Sequence, residues 1–342
     1  MLNPTTLPPD FRERVAAFLH AHGFAGDCAI EPVAGGGNNR VYRVSTPARA
    51  GLLKAYFQHP ADPRDRFGAE RAFYEFLWDQ GVRRTPEPLG WDGPQRLGLF
   101  TFVVGCKLRA EEITPDHVTQ ALAFIAELDQ ARTTAAARQL PVASEACFSV
   151  AEHLACVERR VARLDQIKAA SPLEQEAAAF VAEELKPAWQ KIRAGIAGQI
   201  AVNAPLSQAQ RCLSPSDFGF HNALRAEDGR LRFFDFEYAG WDDPAKLACD
   251  FFCQPQVPVA FGHRENFLNQ LAHALELDSA FFDRVRWLAP GYQVKWCCIM
   301  LNDFIVSDRA RRDFAKGTAD GDQRRRMQLE KARRSLRHSA SP

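Results

Sequence analysis

No stretch of this 342-residue chain approaches the ~20 consecutive apolar residues that a bilayer-spanning helix requires. The N-terminus, Met-Leu-Asn-Pro-Thr-Thr-Leu-Pro-Pro, has no basic segment followed by an apolar run, so it does not read as a secretion signal. Global charge is missing as well. A formal net charge of +1 gives no overall field that would draw the protein to nucleic acid or to a membrane surface. The nine cysteines are odd in number and scattered, which argues against a disulfide framework. Their closest spacings, Cys249 with Cys253 and the adjacent Cys297 and Cys298, lack the paired two-residue gaps of a zinc site. Reduced, buried thiols in the cytoplasm are the expectation. Internal repeats and low-complexity blocks are absent apart from an Arg-rich tail. From Asp303 to His338 there are eleven Lys and Arg against six Asp and Glu. Acidic residues interrupt that run, and a helix with a solvated face explains it as well as a nucleic-acid arm does.

What is present is an ordinary globular balance, 46% hydrophobic and 25% charged, at a length that suits one large domain or two lobes. Asp10 to His22 carries apolar residues at helical spacing and stops at Gly23. Short strand-like runs follow at Ala29 to Val33, Arg40 to Ser45 and Leu52 to Phe57, then a helix from Phe67 to Gln80 closed by Gly81. Two more strands fall near Pro88 to Trp91 and Leu97 to Val104, turned by Asp92-Gly93-Pro94. Beyond Gly105 the pattern is mostly helical, with Thr114 as N-cap and Pro115 at the first position of a helix to about Arg132, then amphipathic stretches around Val150 to Ile167 and Glu174 to Ile196. A strand-like island from Arg211 to Glu237 interrupts the helices, which resume near Pro244. The division expected is a lobe at residues 1–104 and a second at 105–342.

The chemistry concentrates in that island. Ser214-Pro215-Ser216-Asp217-Phe218-Gly219-Phe220-His221-Asn222 is followed by Phe234-Asp235-Phe236-Glu237. Asp217 and Asn222 stand five apart in a short loop, and a hairpin turned at Glu227-Asp228-Gly229 returns Asp235 to the side of Asn222. Two oxygen ligands then converge as Mg²⁺ shared with phosphates would need, with Asp217 a free carboxylate nearby. Glu237 follows Asp235 by two and points the same way, towards a second metal or towards an arginine. His221 has no Ser or Cys partner in the sequence and reads as a packing residue. Gly35-Gly36-Gly37-Asn38-Asn39 joins the first two strands, where small residues such as Gly36 and Asn38 let backbone N–H groups approach anionic oxygens. A plain hairpin loop is the alternative there. No Walker lysine follows, so the loop is not that of a P-loop NTPase.

These residues resemble the aminoglycoside phosphotransferase and choline kinase branch of the protein-kinase-like superfamily. Asp217 with Asn222 matches the family's Asp-x-x-x-x-Asn, and Asp235-Phe236-Glu237-Tyr238-Ala239-Gly240 looks like choline kinases. The resemblance implies an α+β, bilobal fold with a small β-rich N-lobe and a larger, mainly helical C-lobe. It implies ATP and Mg²⁺ as cofactors and a small-molecule hydroxyl acceptor, such as a sugar, polyol, amino alcohol or lipid head group. Asp217 is then the catalytic base, and Asn222 and Asp235 the metal ligands. Lys54, in the third strand, is placed to pair with the α- and β-phosphates. Its carboxylate partner is Glu70, whose helical neighbours Phe73, Tyr74 and Leu77 mark a buried face, rather than Glu75 beside Arg71 and Asp79. Thr101 to Val103 corresponds to the hinge that offers backbone hydrogen bonds to adenine, and Asp250 to a buried Asp that braces the catalytic loop.

One departure stands out: the family usually has His-Gly before the catalytic Asp, where this chain has Pro215-Ser216. That substitution suggests a nucleotide-binding pseudokinase as an alternative, against which the joint presence of Lys54, Asp217, Asn222 and Asp235 counts. An antibiotic-modifying enzyme is the other alternative. The positive surplus of the tail disfavours the acidic pocket that a polycationic acceptor needs. Trp241, Trp287, Trp296, Asn302 and Asp303 are candidates to line the acceptor site. The sequence does not decide the oligomeric state.

Overall fold

The computed structural model describes residues 9–33, 39–58, 64–197, 204–305 and 321–339. Helix α1 (Pro9–Ala21) precedes an antiparallel sheet whose strands are β1 (Ala29–Pro32), β2 (Arg40–Ser45) and β3 (Ala50–Ala55), with helix α2 (Arg66–Asp79) before β4 (Pro88–Asp92) and β5 (Leu97–Thr101). The spatial order is β1-β2-β3-β5-β4. Strand alternation assigns the two faces of this sheet. Val44, Leu53, Ala55 and Leu99 pack with Val15, Phe18 and Leu19 of α1. Leu52 and Phe100 face the other way, among Phe73, Tyr74 and Leu77 of α2. Lys54, between Leu53 and Ala55, is thereby aimed at α2.

Strand β6 (Gly105–Cys106) pairs with β8 (Ala223–Ala226), which forms a hairpin with β9 (Leu231–Phe233). Helices α3 (Pro115–Gln130), α4 (Ala135–Gln139), α5 (Val150–Arg163), α6 (Pro172–Phe180) and α7 (Lys186–Ala197) lie between β6 and β8 in sequence, followed by β7 (Cys212–Ser214). Strand β10 (Gly240–Asp242) pairs with β7, and helices α8 (Pro244–Cys253), α9 (Arg264–Ala274), α10 (Ser279–Leu301) and α11 (Gly321–Ser339) complete the larger lobe. The expected helix from Glu174 to Ile196 is α6 and α7 joined by a π-helical turn at Val181–Leu185.

A line of aromatic rings runs through the catalytic segment and holds it. Phe267 stacks on Phe251 at 4.6 Å between ring centres, Phe251 on Phe218 at 5.4 Å, and Phe233 on Phe124 at 4.9 Å. Phe236 then reaches Tyr74 of α2 at 4.9 Å, so the two lobes share one apolar core. Such ring pairs are worth about 0.5–1.5 kcal/mol each beyond the area they bury. Phe218 and Phe236 thus anchor the two loops that carry Asp217 and Asp235.

The Arg-rich tail is largely the surface of α11, and its charge is met locally. Arg324 pairs with Asp303, Arg325 with Glu174 and Asp322, and Arg333 with Glu176, while Leu329, Ala332 and Leu336 enter the core against α10. All nine cysteines are free thiols, seven of them buried. Among the described residues no helix is long and apolar enough to cross a membrane.

Candidate active site

Strand β3, helix α2 and the segment after β9 bring three charged groups together. Lys54 Nζ donates to Glu70 Oε2 at 2.6 Å and to Asp235 Oδ1 at 2.5 Å. Glu70 is 1% exposed and turns its other oxygen to the backbone N–H of Phe236 at 3.0 Å. It therefore locks helix α2 to the lysine and to the Asp235 segment at once. Glu75 lies on the exposed face, paired with Arg71. Burial disfavours charge on Lys54, but Asp235 and Glu70 outweigh it and raise the pKa of the ammonium. Burial pushes Glu70 up to about 7, against the pull of Lys54. The pKa of Asp235 is raised by burial too, with Lys54 opposing. Asp235 also sits at φ 70°, in the left-handed region that costs a non-glycine residue about 1–2 kcal/mol. Strain of this kind is sustained by the surrounding contacts and concentrates at functional sites.

The catalytic-loop residues lie opposite. Phe234 N–H donates to Asn222 O at 3.1 Å, closing the hairpin that sets Asp235 beside Asn222. Asn222 Nδ2 donates to Asp217 O at 3.0 Å. An amide whose NH₂ group is committed in this way presents its oxygen, the atom a hard cation takes. The Asp217 side chain is about a third exposed, and its Oδ1 lies 3.1 Å from His221 Nε2. Burial would raise the Asp217 pKa; His221, Lys295 and Asn222 reverse that and hold it below its ordinary value. The carboxylate is therefore ionised at neutral pH.

Pro215-Ser216 proves to be a supported turn. Ser216 has φ 65°, a left-handed backbone that glycine would adopt without strain. Its N–H donates to Ser214 Oγ at 3.0 Å, and its Oγ accepts from Lys246 Nζ at 3.3 Å. Lys246 is 1% exposed and also reaches Asp242 at 2.6 Å and Asp250 at 3.4 Å. Asp250 itself binds Lys295 through both oxygens at 2.9 Å and Trp296 Nε1 at 2.9 Å, so its link to the catalytic loop runs through Lys246.

Glu237 is buried, with Oε1 on Arg66 Nη1 at 2.8 Å and Oε2 on Asn39 Nδ2 at 2.7 Å. Arg66 lies in α2 and Asn39 precedes β2, so this carboxylate ties the N-lobe to the segment after β9. In this arrangement each Glu237 oxygen already serves a partner across the lobes. Gly36 and Asn38 lie outside the described residues. Thr101 N–H is committed to Glu87 O at 2.9 Å, whereas Phe102 to Val104 belong to no strand and keep their peptide groups for a ligand. Trp241 and Trp296 are core residues with their indole N–H groups on Ala137 O and Asp250, and Asp303 is tied to Arg324. Trp287 is only partly buried, and it packs against the main core.

Sequence reasoning missed the His221 contact and the role of Lys246, and it allowed an arginine partner for Glu237 without identifying Arg66. Lys246 had a signal: a lone lysine in an Ala-, Leu- and Cys-rich helix with Asp242 and Asp250 four residues to either side.

The profile of the phosphotransferase enzyme family matches residues 29–288, well over half of the chain. The chain belongs to that family. It is a phosphotransferase with a kinase-like α+β fold. A putative aminoglycoside phosphotransferase from Ralstonia eutropha superposes with a TM-score of 0.59 at 13% identity, over 96% of this chain and 98% of that one. Choline kinase from Streptococcus pneumoniae gives 0.58 at 16% identity, over 95% and 98%. Spectinomycin phosphotransferase in complex with ADP and spectinomycin gives 0.59 at 10% identity, over 96% and 94%. At these identities the likeness establishes the fold alone. No curated protein sequence matches the chain.

Proposed function

We propose that this phosphotransferase moves the γ-phosphoryl group of Mg²⁺-bound ATP to an alcohol on a small neutral or anionic metabolite, a sugar, polyol, amino alcohol or lipid head group. The observation that carries the reading is the meeting of Lys54, Glu70, Asp235, Asn222 and Asp217 where the two lobes join. Asp217 is the base. Its carboxylate accepts the proton of the acceptor hydroxyl as that oxygen bonds to phosphorus, and the ADP oxygen departs with the electron pair. Lys54, oriented by Glu70, takes the α- and β-phosphates. Asp235 and the Asn222 oxygen suit Mg²⁺, a hard cation that takes oxygen ligands and is usually held by one or two side chains plus substrate phosphates. When bound, that ion would neutralise charge on the phosphate oxygens. Adenine is held by backbone groups near Val103, and the resemblance alone assigns Gly36 and Asn38, outside the described residues, to the phosphates. Glu237 is read as an interlobe tie in preference to a second metal ligand, because both of its oxygens already have partners.

The acceptor's charge class is read from the groups around Asp217 rather than from the tail, where Arg324, Arg325 and Arg333 are paired. Lys295 acts on Asp217, and Lys107 lies 3.1 Å from the His221 carbonyl. Lysines on the side of the base favour a neutral or anionic alcohol over a polycation. Two measurements test the proposal. ATP should raise the melting temperature further with Mg²⁺ than with EDTA. Incubation with Mg-ATP and a metabolite extract should yield a phosphorylated alcohol by mass spectrometry. Absence of stabilisation by ATP, GTP or their analogues with metal present would sink the proposal. Tight Mg-ATP binding without any phosphorylated product would instead favour a pseudokinase.

A further inference from the structure

His221 has no part in the mechanism above, yet its side chain is 5% exposed and directed at the base. Nε2 is 3.1 Å from Asp217 Oδ1, whereas Nδ1 is buried and has no hydrogen-bond partner among the described residues. In a neutral ring one nitrogen carries the hydrogen. With the hydrogen on Nδ1, a buried donor would be left unsatisfied and a lone pair would face a carboxylate. The opposite tautomer, Nε2–H donating to Asp217, removes the repulsion, gains a charge-assisted hydrogen bond and leaves only the bare Nδ1 lone pair unpartnered.

The loop is built to keep the ring there. Phe220 beside it is fully buried between His117 and Phe251. Lys107 holds the His221 carbonyl at 3.1 Å. Gly219 leaves room for the imidazole, since a Cβ at that position would fall 2.8 Å from Nδ1.

We propose that His221 is a positioning residue for phosphoryl transfer, its Nε2–H fixing one oxygen of Asp217 so that the other is turned to the acceptor hydroxyl. This rests on the reading of Asp217 as the base, and the experiment has separate arms for the two. In the first, side-chain ¹⁵N spectra of the full-length protein are recorded at one pH, with the His221 signals assigned by their loss in His221→Gln. The expected result is a protonated Nε2 and a bare Nδ1, with the Nε2–H signal displaced in Asp217→Ala. An Nδ1–H tautomer overturns the proposal. This arm needs no turnover.

The second arm measures ADP release with water as the acceptor for wild type and for His221→Leu, His221→Asn and His221→Gln. The Gln amide nitrogen lies about as far from Cα as imidazole Nε2, and the Asn amide is one bond short. His221→Leu and His221→Asn should lower kcat about tenfold at unchanged KM for ATP, within the ~100-fold that a 1 Å misplacement can cost. His221→Gln should recover at least half of that loss. Equal kcat in all four proteins, or equal losses in all three variants, would overturn the proposal. If Asp217→Asn releases ADP at the wild-type rate, it is the base assignment that fails, and the hydrogen bond is judged on the spectra.

Discussion

Replacing Lys246 by Met tests whether a buried lysine has taken over support of the catalytic loop. The side chain is 1% exposed and bridges Asp242, Ser216 and Asp250. Asp250 keeps Lys295 and Trp296 when Lys246 is lost, but Asp242, fully buried, keeps only the backbone N–H of Asp243 among its recorded hydrogen bonds. Removing one partner of a buried pair typically costs ~3–5 kcal/mol. A chain of 342 residues unfolds with an entropy of about 0.7 kcal/mol/K, so the melting temperature should fall by about 4–7 °C. The double variant Asp242→Asn/Lys246→Met removes the orphaned charge and should regain most of that stability. It cannot restore the hydrogen bond to Ser216, so kcat should stay roughly tenfold low in both variants, with ATP affinity unchanged. Differential scanning calorimetry and an ADP-release assay on the four proteins of the cycle measure the two effects separately. A single variant that melts within 1 °C of wild type, or a double variant no more stable than the single, would refute the argument.

The other predictions concern the cleft and acid stability. Asp217→Asn should lower turnover by ~10²–10⁴-fold with nucleotide affinity near wild type, while Asp235→Asn should damage Mg-ATP binding and turnover together. Calorimetric titration beside rate measurements checks this, and lost affinity in Asp217→Asn would make that residue a metal ligand. Glu70→Gln should weaken catalysis, and Glu75→Gln should leave it unchanged; the reverse outcome would show that the wrong face of α2 was chosen. Glu237→Gln should lower the melting temperature in EDTA, because Arg66 loses its buried counter-charge; an unchanged melting temperature with weakened Mg-ATP binding would instead make Glu237 a ligand. At Asp243, burial raises the pKa, but His153 and Arg284 hold it below its ordinary value. A depressed carboxylate contributes stability above its unfolded pKa of about 3.9, and that contribution is lost as the pH falls through the folded value. Asp243→Asn should therefore show a shallower fall in melting temperature below about pH 4 than wild type does. Parallel slopes would contradict that.

How much of this was legible in the sequence depends on how local the cause is. Period-2 and period-3.6 patterns decided the strands β2 and β4 and the helices α2, α3 and α5 to within a few residues, because each buries one face against a neighbour. The Asp217–Asn222 spacing and the turn at Asp228-Gly229 were enough to bring Asn222 and Asp235 together, since a hairpin's register follows from its turn. The choice of Glu70 over Glu75 followed from helix periodicity alone.

The tertiary structure decided what depends on partners distant in sequence. Glu237 meets an arginine 171 residues away, and its neighbour in the motif, Asp235, meets Lys54 at a separation of 181. No local rule distinguishes the tie from the ligand. The same holds for Pro215-Ser216. In sequence it is a missing glycine, whereas in space it is a strained turn held by Lys246, 30 residues on. His221 reads as packing until the fold buries its Nδ1 without a partner and aims Nε2 at Asp217. Periodicity reports which side of an element is buried. The partner of a buried charge is fixed only when separate elements pack, because desolvation makes each such charge depend on whatever opposite charge the fold brings within reach.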